Sequence, residues 1–356
     1  MKVLFFTNNN RFMITPYYNI FFSLITAFFI ALLAIPRLID FAKKLNVFDN
    51  GGDRASHEGS TPFFGGIAIF TGVISSLLFW ADIEEIQYIL VSILIVFIVG
   101  LIDDIRQITA FKKLIGQIIA TLILIFCADV QIDNMHGVLG VYDLPIWASL
   151  SFTIFVVIVI TNGFNLIDGV DGLAGGIGLI SSLSFGVIAL IMEQNDMALI
   201  AFTLSGALLA FLRYNFNPAK IFMGDTGSLV VGMTLSVLAI NTIKFGLITE
   251  DFKLPNKGPL MAIVFLAIPL FDSLRVFIVR ASKGVGPFSP GRDHIHHALL
   301  DLGFGHKRTA LILYFISVLL IFGSYFLLEL NVNIGIAILA LVSYFILLIP
   351  FYILRK

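Results

Sequence analysis

The chain has 356 residues, of which 58% are hydrophobic and only 13% are charged, and its mean hydropathy is +1.00. Soluble proteins carry about 25% charged residues, so this composition indicates an integral membrane protein. The net charge of −1 and the lack of a basic patch with stacking aromatic residues exclude a typical nucleic-acid-binding protein. The single cysteine, Cys127, leaves no disulfide framework and no thiol metal site.

Long apolar segments predict an all-α polytopic membrane protein that forms one integral membrane domain over residues 1–356. A segment of about 20 apolar residues is long enough to cross a bilayer. Eleven candidate spans are found, at 17–38, 64–80, 86–102, 113–128, 145–161, 172–192, 197–213, 228–248, 258–280, 309–329 and 332–353. The apolar residues before Asn8 are too few for a signal peptide, so the first span is expected to direct insertion.

The distribution of lysine and arginine predicts the orientation of the spans. With eleven spans, 17 of the 22 basic residues lie on the side of the C-terminus, and 5 lie on the side of the N-terminus. Basic residues favour the cytoplasmic side, so the C-terminus is expected inside and the N-terminus outside. The polar motifs then share the cytoplasmic face, on loops at about 39–63, 103–112, 162–171, 214–227 and 281–308.

Adjacent carboxylates, Asp103 and Asp104, end the third predicted span. Two neighbouring acids repel each other unless a cation or a shared proton lies near, which favours a Mg²⁺ site or a general base. A solvated helix end in an acidic loop is the structural alternative. Lys112 and Lys113 open the next span, where they are either anchors at the membrane interface or ligands of a phosphate.

Polar residues at every third position, Asn162, Asn165, Asp168 and Asp171, lie between two predicted spans. A charge at membrane depth costs roughly 3 kcal/mol or more, which indicates a functional site, although the nearby glycines alone could serve helix packing. The spacing predicts a broken or loop-like entry to the sixth span that lines a cavity. Oxygen ligands of this kind suit Mg²⁺ or Mn²⁺ better than zinc.

The eighth span opens on Gly-Asp-Thr-Gly-Ser, which contains Asp225 and follows Phe222. This motif places a carboxylate and backbone amides at a helix N-terminus, where the dipole favours an anion such as a diphosphate. An ordinary Ser or Thr N-cap is the alternative.

Three histidines, His294, His296 and His297, follow Arg292 in the longest predicted cytoplasmic loop. Such a cluster suggests zinc, but its spacing lacks the accompanying Cys or Glu, so contact with phosphate is favoured. The isolated His136 and His306 are expected to lie on the surface. The segment from His57 to Gly66 has no assigned function, and its final glycine pair, Gly65 and Gly66, is expected to allow close helix contact.

Together these stretches resemble the polyprenyl-phosphate N-acetylhexosamine-1-phosphate transferase superfamily, glycosyltransferase family 4, over about residues 49–308. The pattern His294-Ile295-His296-His297 is similar to the bacterial undecaprenyl-phosphate GlcNAc-1-phosphate transferase branch, whereas the pentapeptide branch typically has consecutive histidines. The resemblance implies transfer of HexNAc-1-phosphate, most simply GlcNAc-1-phosphate, from UDP-HexNAc to undecaprenyl phosphate. The products would be undecaprenyl-diphosphate-HexNAc and UMP.

The resemblance also implies the setting of this reaction. The enzyme would be Mg²⁺-dependent, with Mn²⁺ as a substitute, and would lie in the bacterial cytoplasmic membrane as a possible homodimer. It would catalyse the first membrane step of a cell-envelope glycan pathway, such as that of lipopolysaccharide. A phospho-N-acetylmuramoyl-pentapeptide transferase is the alternative within the superfamily. A cation-coupled transporter is the alternative outside it, but would place its acids near the bilayer midplane on repeated helices.

Residue roles follow from the positions that match the family's motifs. The residues implied to be catalytic are Asp103, Asp104, Asp225, His294, His296 and His297. Asp103 and Asp104 would act on the lipid phosphate or help to hold the site. The metal ligands would be Asp225 and Asn165. The residues implied to contact substrate are Lys113, Asp168, Asp171, Phe222, which would stack on uracil, and Arg292. In the first cytoplasmic loop, Arg54-Ala55-Ser56-His57 lacks the lysine of the family's Arg-Lys-x-His pattern, which puts a phosphate role there in doubt.

Overall fold

The computed structural model of the protein describes residues 9–45, 61–245, 247–248, 253–254, 256–284 and 291–355. The stretch from Arg54 to His57 and part of the predicted 281–308 loop lie outside these ranges. The described chain forms thirteen α-helices, α1 to α13, at Asn9–Leu45, Gly65–Trp80, Ile83–Arg106, Ala110–Ala128, Ile146–Ile167, Leu173–Ile191, Asn195–Asn215, Gly224–Phe245, Gly258–Phe265, Ala267–Ser282, Ile295–Asp301, His306–Gly323 and Val332–Leu354. A two-residue antiparallel pair, β1 (Leu247–Ile248) and β2 (Lys253–Leu254), lies between α8 and α9.

The predicted polytopic architecture is confirmed. Each of the eleven predicted spans corresponds to a helix or to a bent helix pair. Within the described ranges, nine helices are long and apolar enough to cross a membrane, and the bent pair α9 and α10 makes ten if it counts as one span. The remaining predicted span corresponds to α2, which has 16 residues. At 1.5 Å per residue it is about 24 Å long, which is shorter than a hydrocarbon core of about 30 Å.

The bundle is built around α8, against which α2, α3, α5 and α6 pack. In its most apolar stretch, 83% of the residues are buried within the protein, whereas the value is 28% for α1, α12 and α13, which present apolar side chains outward. Glycines allow the close approach: a Cβ atom added to Gly100 would lie 2.6 Å from the Cα atom of Thr226, and one added to Gly66 would lie 2.6 Å from that of Gly227. The predicted packing role of Gly66 is therefore confirmed.

The predicted span 258–280 is not one straight helix. It bends by 81° between α9 and α10, at Leu266. Pro269 has no N–H group to donate to the carbonyl of Phe265, which breaks the helical ladder at this point. The hydroxyl of Ser181 donates to that carbonyl at 2.6 Å, so the break leaves no orphaned acceptor.

The prediction of a broken chain over 162–171 is wrong for its first half. α5 continues to Ile167, six residues beyond the predicted end of the fifth span, and only residues 168–172 form a turn. The two carboxamides lie within the helix because neighbours satisfy them: Asn162 Nδ2 donates to the Ile158 carbonyl at 2.8 Å and to Gln117 Oε1 at 3.1 Å. Polar side chains with partners on adjacent helices therefore do not require unwinding.

Candidate active site

The helix ends that carry the polar motifs meet at one end of the bundle. Lys113, in the first turn of α4, links two of them: its Nζ lies 2.6 Å from Asp103 Oδ2 and also contacts Asp225 Oδ2. Asp103 lies in the last turn of α3, and its other oxygen accepts the N–H of Ile108 at 2.8 Å. Asp225 lies in the first turn of α8. Three residues that are far apart in the sequence thus form one charged group of two carboxylates around an ammonium.

Asp104 makes a different set of contacts from its neighbour. Its carboxylate accepts the N–H of Asp225 at 2.8 Å, the N–H of Thr226 at 3.0 Å and the hydroxyl of Thr226 at 2.5 Å. The anion at the N-terminus of α8 is therefore a carboxylate of the protein, which engages the amides that the sequence had suggested for a diphosphate. This contact also fixes Asp225 relative to α3.

Asn165 lies in the last turn of α5, beside the start of α8. Its Nδ2 donates to Ser228 Oγ at 3.0 Å, and its amide also interacts with Asp225. With the amide nitrogen engaged in this way, the Oδ1 atom is the part of the side chain that remains for a ligand. The structure thus brings together the two residues that the family resemblance implied as metal ligands.

Asp168 follows α5 directly and is half-buried. It makes no hydrogen bond or ion pair with any side chain in the described part of the chain. Removal from bulk water, together with the negative charges of Asp225, Asp104 and Asp171, raises the pKa of Asp168 well above its usual range. A carboxylate that other anions surround and that lacks a partner is suited to bind a cation.

Asp171 is held in place by groups from two other segments. Its Oδ2 accepts from Asn217 Nδ2 at 2.9 Å and from the N–H of Ala219 at 3.1 Å, and its Oδ1 lies 3.2 Å from His306 Nδ1. Burial alone would raise the pKa of Asp171, but these hydrogen bonds and His306 together hold it below its usual value. His306 was expected only as a surface residue; it is partly exposed, yet it contacts this acid.

The turn after Asp171 is fixed by two residues that the sequence analysis did not single out. Asn215 Oδ1 accepts the N–H of Gly172 at 2.9 Å, and the hydroxyl of Tyr314 donates to the Gly172 carbonyl. Gly172 has φ +80°, a left-handed conformation that favours glycine. These contacts attach the loop that bears Asp168 to α7 and α12.

The three predicted histidines lie together at the start of α11 and are buried. The rings of His294 and His296 stack with centroids 5.6 Å apart and planes at 8°, and the ring of His297 lies 4.2 Å from that of His296. His296 also borders the acidic end of α5, because a Cβ atom added to Gly169 would lie 2.9 Å from His296 Nε2. The motif from the late loop is thus adjacent to Asp168.

Two buried charged residues under the histidines, Asp272 and Arg275, were also missed. Asp272 Oδ2 lies 2.8 Å from His294 Nδ1, and Asp272 Oδ1 lies 3.4 Å from an Arg275 nitrogen. Arg275 also donates to the backbone carbonyl of Asp293 and lies over the ring of Phe351, 3.9 Å from its centroid. A signal was present: an acid and a base three residues apart within an apolar span indicate a buried pair.

The last two predicted residues lie on the rim of this region. Phe222 is half-buried, and its backbone accepts the N–H of Gly65 at 2.9 Å and donates to the Pro62 carbonyl at 2.8 Å. Arg292 is 60% exposed and pairs with Asp301 at 2.8 Å. The substrate roles of Phe222 and Arg292 remain predictions.

The donor set fits a hard cation better than a zinc ion. No group of three or more His, Cys, Asp or Glu side chains in the described ranges is arranged to hold a metal. Mg²⁺ does not need such a group, because it keeps several waters and uses one or two carboxylates together with substrate phosphates. Asp225, the Oδ1 of Asn165 and the unpartnered Asp168 offer oxygen atoms of the type that Mg²⁺ prefers, and Lys113 already neutralises part of their charge.

These features define a polytopic helical membrane protein. At one end of its helix bundle lies an acidic site that is rich in carboxylate and carboxamide oxygen atoms. Residues 86–243 match the model of glycosyl transferase family 4. The chain is 31% identical over 302 residues to the probable undecaprenyl-phosphate N-acetylglucosaminyl 1-phosphate transferase of Bacillus subtilis, covering 83% of this chain and 82% of the relative.

Two further relatives have related names. The decaprenyl-phosphate N-acetylglucosaminephosphotransferase of Mycobacterium tuberculosis (strain ATCC 25618 / H37Rv) is 32% identical over 80% of this chain and 76% of its own length. The undecaprenyl-phosphate alpha-N-acetylglucosaminyl 1-phosphate transferase of Salmonella typhi is 29% identical over 75% of this chain and 73% of its own length. The chain belongs to glycosyl transferase family 4, in its bacterial polyprenyl-phosphate N-acetylglucosaminyl-1-phosphate transferase branch, which confirms the resemblance found in its motifs.

Proposed function

We propose that the protein transfers GlcNAc-1-phosphate from UDP-GlcNAc to undecaprenyl phosphate, forming undecaprenyl-diphosphate-GlcNAc and UMP. The observation that carries this proposal is the convergence of Asp103, Lys113 and Asp225 at one end of the helix bundle. The relatives of this protein are named for such a transfer. The same end also holds Asn165, Asp168 and the histidine motif.

The transfer exchanges one phosphorus–oxygen bond for another. An oxygen of the lipid phosphate forms a bond to the phosphorus that bears the sugar, and the bond from that phosphorus to the bridging oxygen breaks. UMP leaves with the bridging oxygen and its electron pair. Lys113 is placed to hold the donor diphosphate, and the buried His296 and His297 are placed to donate hydrogen bonds to its oxygens. Such preorganised charge offsets the repulsion between the two substrates.

Mg²⁺ is the cofactor that we propose for this site. Asp225 and Asn165 would hold it, with Asp168 close by. When bound, Mg²⁺ would polarise the diphosphate and stabilise the charge of the departing UMP. The fit is supported by the oxygen-only ligand set and by the repulsion among Asp168, Asp225 and Asp104, which a divalent cation would relieve.

Asp103 and Asp104, both in the last turn of α3, make contacts that support different roles. Asp103 pairs with Lys113, the proposed ligand of the diphosphate, so it is the member suited to act on the lipid phosphate. Asp104 has both oxygens engaged by the first turn of α8, so it is suited to hold the site in shape. We therefore assign direct contact with the reacting groups to Asp103.

The orientation proposed for the protein places this end at the cytoplasmic face of the bacterial inner membrane, where nucleotide sugars are made. The support is the excess of lysine and arginine in the connections on this side, 17 against 5. Cysteine labelling tests it in intact cells: with Cys127 replaced by serine, a cysteine at exposed Lys283 would be protected from an impermeant maleimide, and one at exposed Asp133 would react.

UMP release from the full-length protein in detergent or nanodiscs tests the reaction. We expect UMP only when UDP-GlcNAc, undecaprenyl phosphate and Mg²⁺ are all present. UDP-N-acetylmuramoyl-pentapeptide should give none, which separates this branch from the pentapeptide branch. Folded protein that releases no UMP from a panel of UDP-HexNAc donors would contradict the proposed function.

A further inference from the structure

A deeply buried ion pair near the site is separate from the charged group of Asp103, Lys113 and Asp225. Asp272, in α10, is 0% exposed, and its partners His294 and Arg275 are each 4% exposed. A buried carboxylate is costly unless it is paired and hydrogen-bonded. Asp272 contacts three groups: His294 Nδ1 at 2.8 Å, the N–H of Ile295 at 2.9 Å and the guanidinium of Arg275 at 3.4 Å.

These contacts fix both the ring and the backbone of the histidine motif. His294 is the N-cap residue of α11, and Ile295 is the first residue of that helix. One carboxylate therefore holds the His294 imidazole through Oδ2 and the first helical amide through Oδ1. Arg275 also holds the backbone before the motif, because it donates to the carbonyl of Asp293.

The hydrogen bond to an ionised carboxylate also selects the tautomer of the ring. Such a carboxylate only accepts hydrogen bonds, so His294 Nδ1 must carry the proton. In a neutral ring, Nε2 then becomes the acceptor. The ring stacks in parallel on His296, which borders Gly169 at the acidic end of α5. Asp272 thus determines which atom of His294 is offered to the substrate side.

We propose that Asp272, supported by Arg275, is a positioning residue of the transfer reaction, which fixes His294 as the Nδ1–H tautomer and leaves Nε2 as a hydrogen-bond acceptor on the substrate side. This inference rests on the proposed transferase function. It differs from a purely structural ion pair, because the effect of Asp272 on turnover would pass through the ring of one residue.

Asp272→Asn is the direct test. A carboxamide has one acceptor and one donor group; if its oxygen keeps the N–H of Ile295, its NH₂ group faces His294 and favours the opposite tautomer. We expect kcat to fall by about 10²-fold or more, with a change of less than about three-fold in the KM for UDP-GlcNAc. Asp129→Asn, which breaks the ion pair with Lys244 away from the site, is the matched control and should leave kcat within about two-fold.

A double-mutant cycle separates positioning from structure. If Asp272 acts through His294, the Asp272→Asn change should reduce kcat by less than about three-fold in the His294→Gln background, although it costs about 10²-fold in the wild type. Equal losses in both backgrounds, or a single variant with unchanged kcat, would overturn the proposal.

The tautomer itself is measured without turnover. The protein has six histidines, so ¹⁵N-histidine labelling gives a small spectrum in which His294 is assigned by its loss in His294→Gln. We expect Nδ1 to be protonated in the wild type, and an Nε2–H wild-type ring would overturn the proposal even if Asp272→Asn fails to fold. Wild-type protein that forms no UMP would instead contradict the proposed function, and the spectrum would still report the tautomer.

Discussion

Asp104 holds the first turn of α8 through Thr226, whose N–H and hydroxyl both donate to Asp104 Oδ2, at 3.0 and 2.5 Å. An anion at a helix N-terminus is stabilised by the free N–H groups and by the helix dipole. Here the anion comes from another helix, so the contact joins α3 to α8. It also places Asp225, the proposed metal ligand, because the N–H of Asp225 donates to the same carboxylate.

Asp104→Asn should therefore destabilise the protein as well as reduce its activity. The carboxamide loses one charge-assisted acceptor, and we expect a loss of about 2 kcal/mol in the free energy of unfolding. Thr226→Val, which removes only the hydroxyl, should cost about 1 kcal/mol. Thermal unfolding in detergent measures both. An Asp104→Asn protein with an unchanged unfolding temperature but no activity would show instead that Asp104 acts on the reacting groups.

Lys113 and Lys112 provide a matched pair of variants. Only Lys113 pairs with Asp103 and Asp225, whereas Lys112 is exposed. Lys113→Met should lower kcat/KM for UDP-GlcNAc by about 10²-fold or more, because it removes a positioned cation from between two acids and from the donor phosphates. Lys112→Met should stay within about two-fold. Similar losses in both variants would mean that the two lysines act only as anchors at the membrane interface.

Much of this fold follows from local properties of the sequence. The length of each apolar segment locates the spans. The predicted motifs at Asp103, Asn165 and Asp225 lie at helix ends that meet. The bend at Leu266 was missed although Pro269 was visible, because a proline can also be accommodated in a straight span when its neighbours compensate. The extent of α5 was missed because the partners of Asn162 and Asn165 lie on α4 and α8, which no local pattern reveals.

Contacts between distant segments also explain what the sequence could not predict about the site. Asp103 and Asp104 are adjacent and chemically identical, yet one pairs with Lys113 and the other binds a helix N-terminus. The difference arises because successive residues of a helix point in directions about 100° apart, toward different neighbours. His306 likewise gained its contact with Asp171 only through the packing of α12 against α6.

Asp225→Asn should change the metal dependence of the reaction. Asp225 is the proposed carboxylate ligand, so we expect kcat to fall by about 10²-fold or more and the Mg²⁺ concentration for half-maximal UMP release to rise. Removal of divalent cations with EDTA should abolish wild-type activity, and Mg²⁺ or Mn²⁺ should restore it. An unchanged Mg²⁺ titration in Asp225→Asn, with Asp129→Asn as the control, would contradict the ligand assignment.

Asp168 should make the folded protein less stable as the pH rises. Its pKa is raised in the folded state by burial and by Asp225, Asp104 and Asp171, so the folded state binds this proton more tightly than the unfolded chain. The resulting stabilisation is complete below the unfolded pKa of about 4 and is lost as the pH rises through the folded pKa. Without divalent cations, Asp168→Asn should unfold at a temperature a few degrees above the wild type at pH 8. A lower unfolding temperature would contradict this.

Asp171 should show the opposite pH dependence. Its pKa is lowered in the folded state, because the hydrogen bonds from His306, Asn217 and Ala219 outweigh its burial. Its contribution to stability is therefore present above the unfolded pKa of about 4 and is lost as the pH falls through the lowered folded value. Asp171→Asn should unfold at a temperature a few degrees below the wild type at pH 7, and this difference should shrink below pH 4. A constant difference at every pH would mean that Asp171 stabilises the turn by its shape and not by its charge.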